Sequence, residues 1–476
     1  MPRYTTALNL SASIGAGECS VSEVTAEALE QAAADQHGAF VHISSERAMA
    51  RALELDALID EPGLAAGPLF GVPVPIKDLT MVAGDPCRFG SPVFADQVAE
   101  DDDGVVSRLA AAHTVMIGKT ATPEFGLPCY TEPEGAPAAV TPWSPPTADG
   151  RPGRMAGGSS GGAAAAVAAG IVPLAHGNDG GGSVRIPAAC CGILGMKPSR
   201  GFVSPGPHGV DGSGLASHGI LARTVSDIAT GLAAIRGNVR GDTYFAPGTV
   251  AFADALVQPT RRLRIGFLGE PIIAHDAKVH PEALTALQQT MERLAALGHQ
   301  VGPAPIPFRA EAWDSFRPVW AVSALQAPVD PADEGRLRPL TQWLREQGRQ
   351  VTGLAYAQAV AAMQQVTRQV GAAWRPFDIV VTPTLAQPPL PVGALRDDAD
   401  PAADFEAQTR FTPWTSVQNI TGSPAISLPL HHADVDGERL PFGIQVIGPT
   451  GADALVLQVA RDLMGGSTVE AVPPIS

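Results

Sequence analysis

Between Gly157 and Ser183 the chain places two glycine-serine runs, Gly157-Gly-Ser-Ser-Gly-Gly162 and Gly180-Gly-Gly-Ser183, at either end of an alanine-rich apolar segment. Residues this small let backbones approach closely and leave N–H groups uncovered. Two tight turns are therefore required, each presenting serine hydroxyls beside free amides. That combination suits a nucleophile next to a trap for developing negative charge.

A base for such a nucleophile is suggested by the scarcity of lysine. Lys77, Lys119, Lys197 and Lys278 are the only four, so 28 of the 32 basic residues are arginine. Arginine cannot give up its proton, and a position that must act as a base near neutrality needs lysine instead. Lys77 ends the apolar run Phe70-Gly-Val-Pro-Val-Pro-Ile-Lys77, where desolvation would favour the neutral amine.

At 476 residues, 45% hydrophobic and 17% charged, the chain can bury a large core. The net charge of −16 argues against nucleic acid and anionic membrane as partners, because both need basic patches. Met1-Pro-Arg-Tyr-Thr-Thr6 lacks the apolar core of a signal peptide, and the run Ala163–Leu174 is too short for a membrane span. Cys19, Cys87, Cys129, Cys190 and Cys191 are odd in number and show no Cys-x-x-Cys spacing, so reduced thiols in a cytoplasmic protein are expected.

Periodic apolar residues (Val24, Ala28, Leu29, Ala32; Ala48, Ala52, Leu53, Leu58) predict helices over 1–65. In a core over 66–260, strands at Val72–Ile76, Val115–Ile117 and Val172–Ala175 alternate with helices at Val105–Ala112 and Ala163–Ala169. This predicts a single large α/β domain with a mixed, mostly parallel central sheet between helices. Residues 260–375 open on a strand at Leu263–Leu268 and then read as helices at Pro281–Leu297, Leu337–Gln347 and Leu354–Trp374, either a helical cover facing the site or a small domain of its own. Over 376–476, strands at Asp378–Thr384, Ala425–Pro429 and Gly443–Ile447 return to the sheet.

Rival motifs can be tested directly. His113 stands where a P-loop ending in Gly118-Lys119-Thr120 needs glycine; no Ser-x-x-Lys precedes any lysine, and there is no His-Glu-x-x-His. Gly157–Gly161 and Gly158–Gly162 both match the Gly-x-Ser-x-Gly elbow, for which His431 or His432 would be the late histidine.

Gly71-Val-Pro-Val-Pro-Ile-Lys-Asp78, the two serine turns, Arg185-Ile-Pro-Ala188 and Cys191-Gly-Ile-Leu-Gly-Met-Lys-Pro198 together resemble the amidase signature family. Val381-Thr-Pro-Thr384, Asn419-Ile-Thr-Gly-Ser-Pro-Ala-Ile-Ser-Leu-Pro429 and Pro441-Phe-Gly-Ile-Gln-Val-Ile-Gly448 extend the likeness over nearly the whole chain. The resemblance implies the amidase signature fold and a Ser-cisSer-Lys triad: Ser183 as nucleophile, Ser159 as bridging serine after a cis peptide, and Lys77 as base. It also implies an oxyanion hole from the N–H groups of Gly180, Gly181, Gly182 and Ser183, with no metal or organic cofactor. Ser160 is expected as a helix cap or a prop for the relay, Asp179 and Arg185 as a pair bracing the glycine turn, and His176, His208 and His218 as ordinary packing.

His176-Gly-Asn-Asp-Gly-Gly-Gly-Ser183, with Gly180 where the family commonly has threonine, looks closest to bacterial acylamidases and nylon-oligomer hydrolases. Thr412 stands where transamidase subunits carry an acidic residue. A stand-alone hydrolase of aryl or alkyl acylamides, with side activity on esters or carbamates, is therefore the expectation, as monomer or homodimer. A glutamine amidotransferase-type subunit and a non-catalytic assembly subunit are the alternatives. Phe125, Tyr130, Trp320 and Trp414 are candidate walls of the substrate pocket.

Overall fold

The computed structural model describes residues 6–59, 61, 66–147, 150–246 and 252–465. The first five residues, read above for a signal peptide, and the ends of the 1–476 and 1–65 spans lie outside them. Eleven strands follow in order: β1 (Phe40–Ile43), β2 (Pro73–Lys77), β3 (Val115–Thr120), β4 (Leu174–Asp179), β5 (Leu194–Lys197), β6 (Ser217–Ala222), β7 (Arg264–Phe267), β8 (Gln300–Pro303), β9 (Ile379–Pro383), β10 (Ala425–Val435) and β11 (Glu438–Ile447).

They form two sheets, an eight-stranded one in the order β4-β6-β5-β10-β11-β9-β7-β8 and a three-stranded one in the order β1-β3-β2. The α/β class and the single domain hold, with the central sheet mixed and flanked by helices. The expectation of a mostly parallel sheet is corrected. Only β9-β7 and β7-β8 are parallel, and the five other pairings of the large sheet are antiparallel. The β7-β8 pair is joined by the helix Pro281–Ala296, the crossover that parallel neighbours need. The β10-β11 pair is a hairpin closed by Asp436-Gly437, with φ of 56° and 80°. Two successive positive φ values make the turn whose twist matches antiparallel strands, so these strands run on past Pro429 and begin before Gly443.

The helix Gly161–Ala168 is buried on every residue. Its glycines and alanines allow that: a Cβ at Gly162 would lie 2.4 Å from the backbone of both Ala39 and Ala121. The helix therefore lies tightly between the two sheets, with Ser159 and Ser160 at its entrance. Helices Phe316–Ser323, Pro339–Gln350 and Gly353–Ala373 contribute Phe316, Val319, Leu340, Leu344, Met363 and Val366 to a second apolar core, which also holds Trp414. Among the described residues no helix is long and apolar enough to cross a membrane.

Candidate active site

Lys77 is the last residue of β2, a strand buried at all five positions. Its amine lies 2.7 Å from Ser159 Oγ and 2.6 Å from Asn178 Oδ1, with the Asn178 carbonyl oxygen at 3.4 Å. Burial holds the Lys77 pKa well below the usual lysine range, against a smaller opposing pull from the Asp179 charge. The Gly158–Ser159 peptide is cis. Gly126, at φ 69°, closes over the Ser159 hydroxyl: a Cβ there would lie 3.2 Å from Ser159 Oγ and 2.5 Å from Leu79 Cδ1.

The Ser183 carbonyl accepts from the Ser160 N–H at 3.1 Å, which ties its backbone to the residue after Ser159. The Ser160 hydroxyl donates to the Asn178 carbonyl at 3.2 Å and does not cap the helix. Exposure rises across the group, from 0% at Lys77 through 1% at Ser159 to 7% at Ser183, so Ser183 is the member that a ligand can reach.

The glycine turn is organised by Asp179 at the end of β4. Its carboxylate accepts from Gly182 N at 2.8 Å, Val184 N at 3.2 Å, Arg185 Nε at 2.9 Å, Arg185 Nη2 at 2.8 Å and Asn419 Nδ2 at 2.9 Å. Burial alone would raise this carboxyl; the Arg185 charge and hydrogen bonds outweigh it and hold the pKa at about 2. Arg185 is itself wholly buried and also donates to Thr415 O, Gln418 Oε1, Gln445 Oε1 and Asn419 Oδ1.

This arrangement corrects one expectation. The Gly182 N–H is committed to Asp179 and cannot belong to an anion cradle, whereas the N–H groups of Gly180, Gly181 and Ser183 have no acceptor among the described residues. Gly182 has a different task, since at φ 134° a Cβ would fall 2.5 Å from Thr415 Oγ1.

A cavity of about 60 Å³ opens onto Ser183 and Gly181. Its wall is a stack of Trp313, Phe316 and Trp320, with ring centroids 5.2 and 5.1 Å apart, and Phe405, Gln408, Thr409 and Thr412 complete it. Trp320 thus lines the cavity that opens onto Ser183, and the other three aromatic candidates do not. Trp414 is fully buried, its indole N–H donating to the Glu270 carbonyl. Tyr130 is buried with its hydroxyl donating to Asp404 Oδ2 at 2.6 Å, and the Phe125 ring lies edge-on to Phe94. Each found a polar or aromatic partner in the packing, which residue type alone does not reveal.

The histidines of the elbow alternative are engaged elsewhere, His431 with Glu282 at 2.7 Å and His432 against the Trp143 ring. His176 and His218 are paired at 2.9 Å, and burial, with Lys77 among the lesser causes, lowers both, His218 to about 4. Lys119 pairs with buried Asp78 at 3.2 Å, and Lys197 donates to the Pro198 carbonyl. All five cysteines are free and buried. Asn178, Thr415 and Asn419 went unassigned in the sequence. Asn178 and Asn419 lie inside motifs quoted there, which is the signal that could have found them.

The amidase family model matches residues 23–457. A putative amidase of Synechocystis sp. is 33% identical over 439 residues, covering 90% of this chain and 81% of the relative. The 6-aminohexanoate-cyclic-dimer hydrolase of Paenarthrobacter ureafaciens is 35% identical over 428 residues, covering 85% of each. A solved structure of a 6-aminohexanoate cyclic dimer hydrolase superposes with a TM-score of 0.87 at 31% identity, over 97% of this chain and 96% of that one.

Proposed function

This chain belongs to the amidase family, hydrolases that act on amide bonds, and we propose that it cleaves aryl or alkyl acylamides through an acyl-enzyme on Ser183. The observation that carries this reading is the buried contact of 2.7 Å between Lys77 Nζ and Ser159 Oγ, behind a serine that faces an aromatic cavity. In the acylation step Ser183 Oγ attacks the amide carbonyl as its proton passes to Ser159 Oγ, whose own proton passes to the neutral Lys77 amine. The carbonyl oxygen becomes an oxyanion facing the free N–H groups of Gly180, Gly181 and Ser183. The relay then reverses: Lys77 returns its proton to Ser159, and Ser159 protonates the leaving nitrogen as the C–N bond breaks. Water repeats the sequence on the ester and frees the acid.

Two features support a stand-alone hydrolase of small, largely apolar amides. The cavity wall is aromatic, and Thr412 supplies no carboxylate to hold an amino-acid ammonium. Cytoplasmic location, monomeric or homodimeric assembly, independence of nucleic acid, and side activity on esters or carbamates belong to the same reading. Purified protein should release aniline from acetanilides, and Ser183→Ala and Lys77→Ala should each abolish this. A fluorophosphonate should add to wild type but not to Ser183→Ala, read by intact mass. Activity confined to free glutamine in the presence of partner subunits would overturn the reading.

A further inference from the structure

A base works only if its lone pair faces the proton it is to take, and a buried neutral amine can turn about its Cε–Nζ bond unless something stops it. Three oxygens surround Lys77 Nζ: Ser159 Oγ, Asn178 Oδ1 and the Asn178 carbonyl. They are not equivalent. A carboxamide oxygen and a peptide oxygen can only accept, whereas a serine hydroxyl can also donate. A neutral amine brings two N–H bonds and one lone pair to these three sites. Its hydrogen bonds are all satisfied in one way alone, with both N–H bonds on the two Asn178 oxygens and the lone pair facing the Ser159 O–H.

We propose that Asn178 is a positioning residue of the relay, whose side-chain and backbone oxygens together hold both amine hydrogens of Lys77 and thereby aim its lone pair at Ser159. The inference rests on the reading of Lys77 as the base. Asn178 is itself held from two sides. Its carbonyl accepts from the Ser160 hydroxyl, and its place in β4 is registered against His218 of β6. Asn178 also lines a second cavity, of about 390 Å³, with Thr80 and His218. After proton transfer the ammonium has three donors for the same three oxygens, so both states of the relay are satisfied without rearrangement. Serine or alanine at 178 would leave one amine hydrogen unheld, and aspartate would keep the acceptor while adding a charge that retains the ammonium.

The titratable groups that interact with this amine are Asp179 and His176 on β4 and His218 on β6; beyond them lie Lys119 on β3, which acts on His176 and is paired with Asp78, and Asp103, which lines the second cavity with Asn178. None of them is altered by substitution at 178. The test is the pH profile of kcat/KM on an acetanilide. Activity needs neutral Lys77, so the profile rises with pH through the amine's titration. In Asn178→Asp this limb should move up by about 1–3 pH units, as an opposite charge in contact requires, with activity recovering at high pH. In Asn178→Ala kcat should fall about 100-fold with KM little changed, the scale set by a misaimed reacting group. A residue that merely supported the fold would lower activity alike at every pH. An unshifted limb in Asn178→Asp, or wild-type kcat in Asn178→Ala, overturns the proposal. Should Asn178→Ala fail to fold, the near-isosteric Asn178→Asp decides it alone. Lys77→Ala in parallel separates the two levels: activity retained there would sink the reading of the base itself.

Discussion

Replacing Asp179 by asparagine is the most informative single change, because it keeps the shape of the side chain while removing its charge and one acceptor. The wild-type carboxylate is wholly buried and accepts five hydrogen bonds from four groups, two of them backbone amides on either side of Ser183. Asparagine has one acceptor oxygen, and its NH₂ group would point at donors. Arg185, equally buried, would keep its other acceptors but lose its only carboxylate. Leaving one member of a buried ion pair uncompensated costs about 3–5 kcal/mol. Unfolding entropy of about 2.1 cal/mol/K per residue gives about 1 kcal/mol/K for a chain of this length, so the midpoint should drop by roughly 3–5 °C by calorimetry.

Acid supplies an independent check on the same residue. A carboxyl held at about 2, against an ordinary 3.8, stabilises the folded state above pH 4 and loses that contribution as pH falls toward 2. The difference is about 2 kcal/mol. Asp179→Asn should therefore lose less stability than wild type between pH 4 and pH 2. Activity should fall with stability, since the N–H groups of Gly182 and Val184 lose the anchor that shapes the turn. A variant melting within about 1 °C of wild type at pH 7, with the same acid limb, would refute the claim that this pair holds the turn.

Gly182→Ala should eliminate acetanilide hydrolysis while leaving Lys77 and Ser159 in place, because the new methyl meets Thr415 Oγ1 at 2.5 Å in a backbone conformation with φ of 134°; normal turnover would contradict it. For wild type, the direction of the Lys77 shift predicts an activity limb well below the usual lysine range, lost as acid protonates the amine; a profile still rising through pH 10 would mean an ordinary lysine. Trp320→Ala, which removes one plate of the aromatic stack, should raise KM for acetanilides about tenfold and spare acetamide, measured by steady-state kinetics.

The residues gathered at the candidate site were easier to pick out in the sequence than the direction of the strands. Glycine runs and a lone lysine at the end of an apolar strand are local signals, and chemistry that needs small residues and a titratable amine leaves them in plain view. What could not be read was where each hydrogen bond goes. The Gly182 amide looks identical to those of Gly180 and Gly181 until Asp179 is seen to accept from it. Likewise Trp414 and Trp320 are the same residue type, separated only by whether packing left a face uncovered. Strand direction was misjudged because alternating strands and helices favour parallel neighbours, although Asp436-Gly437 carried a plain hairpin signal. The strands β1, β5 and β8 have four residues each, too few for periodicity to register, and the six of β6, Ser217-His-Gly-Ile-Leu-Ala222, do not alternate.

Lys77 ends a strand of the small sheet, whereas Asp179 and the glycine turn hang from an edge strand of the large one. No backbone ladder joins the two, so the groups of the site meet only where separately built slabs are pressed together, β2 directly against β4 beside an alanine-rich helix. Competence therefore belongs to the docked whole and to neither half: a nascent or partly opened chain carries every required side chain and remains inert. Hydrolytic power should therefore be forfeited when the slabs part, even if each keeps its own strands paired.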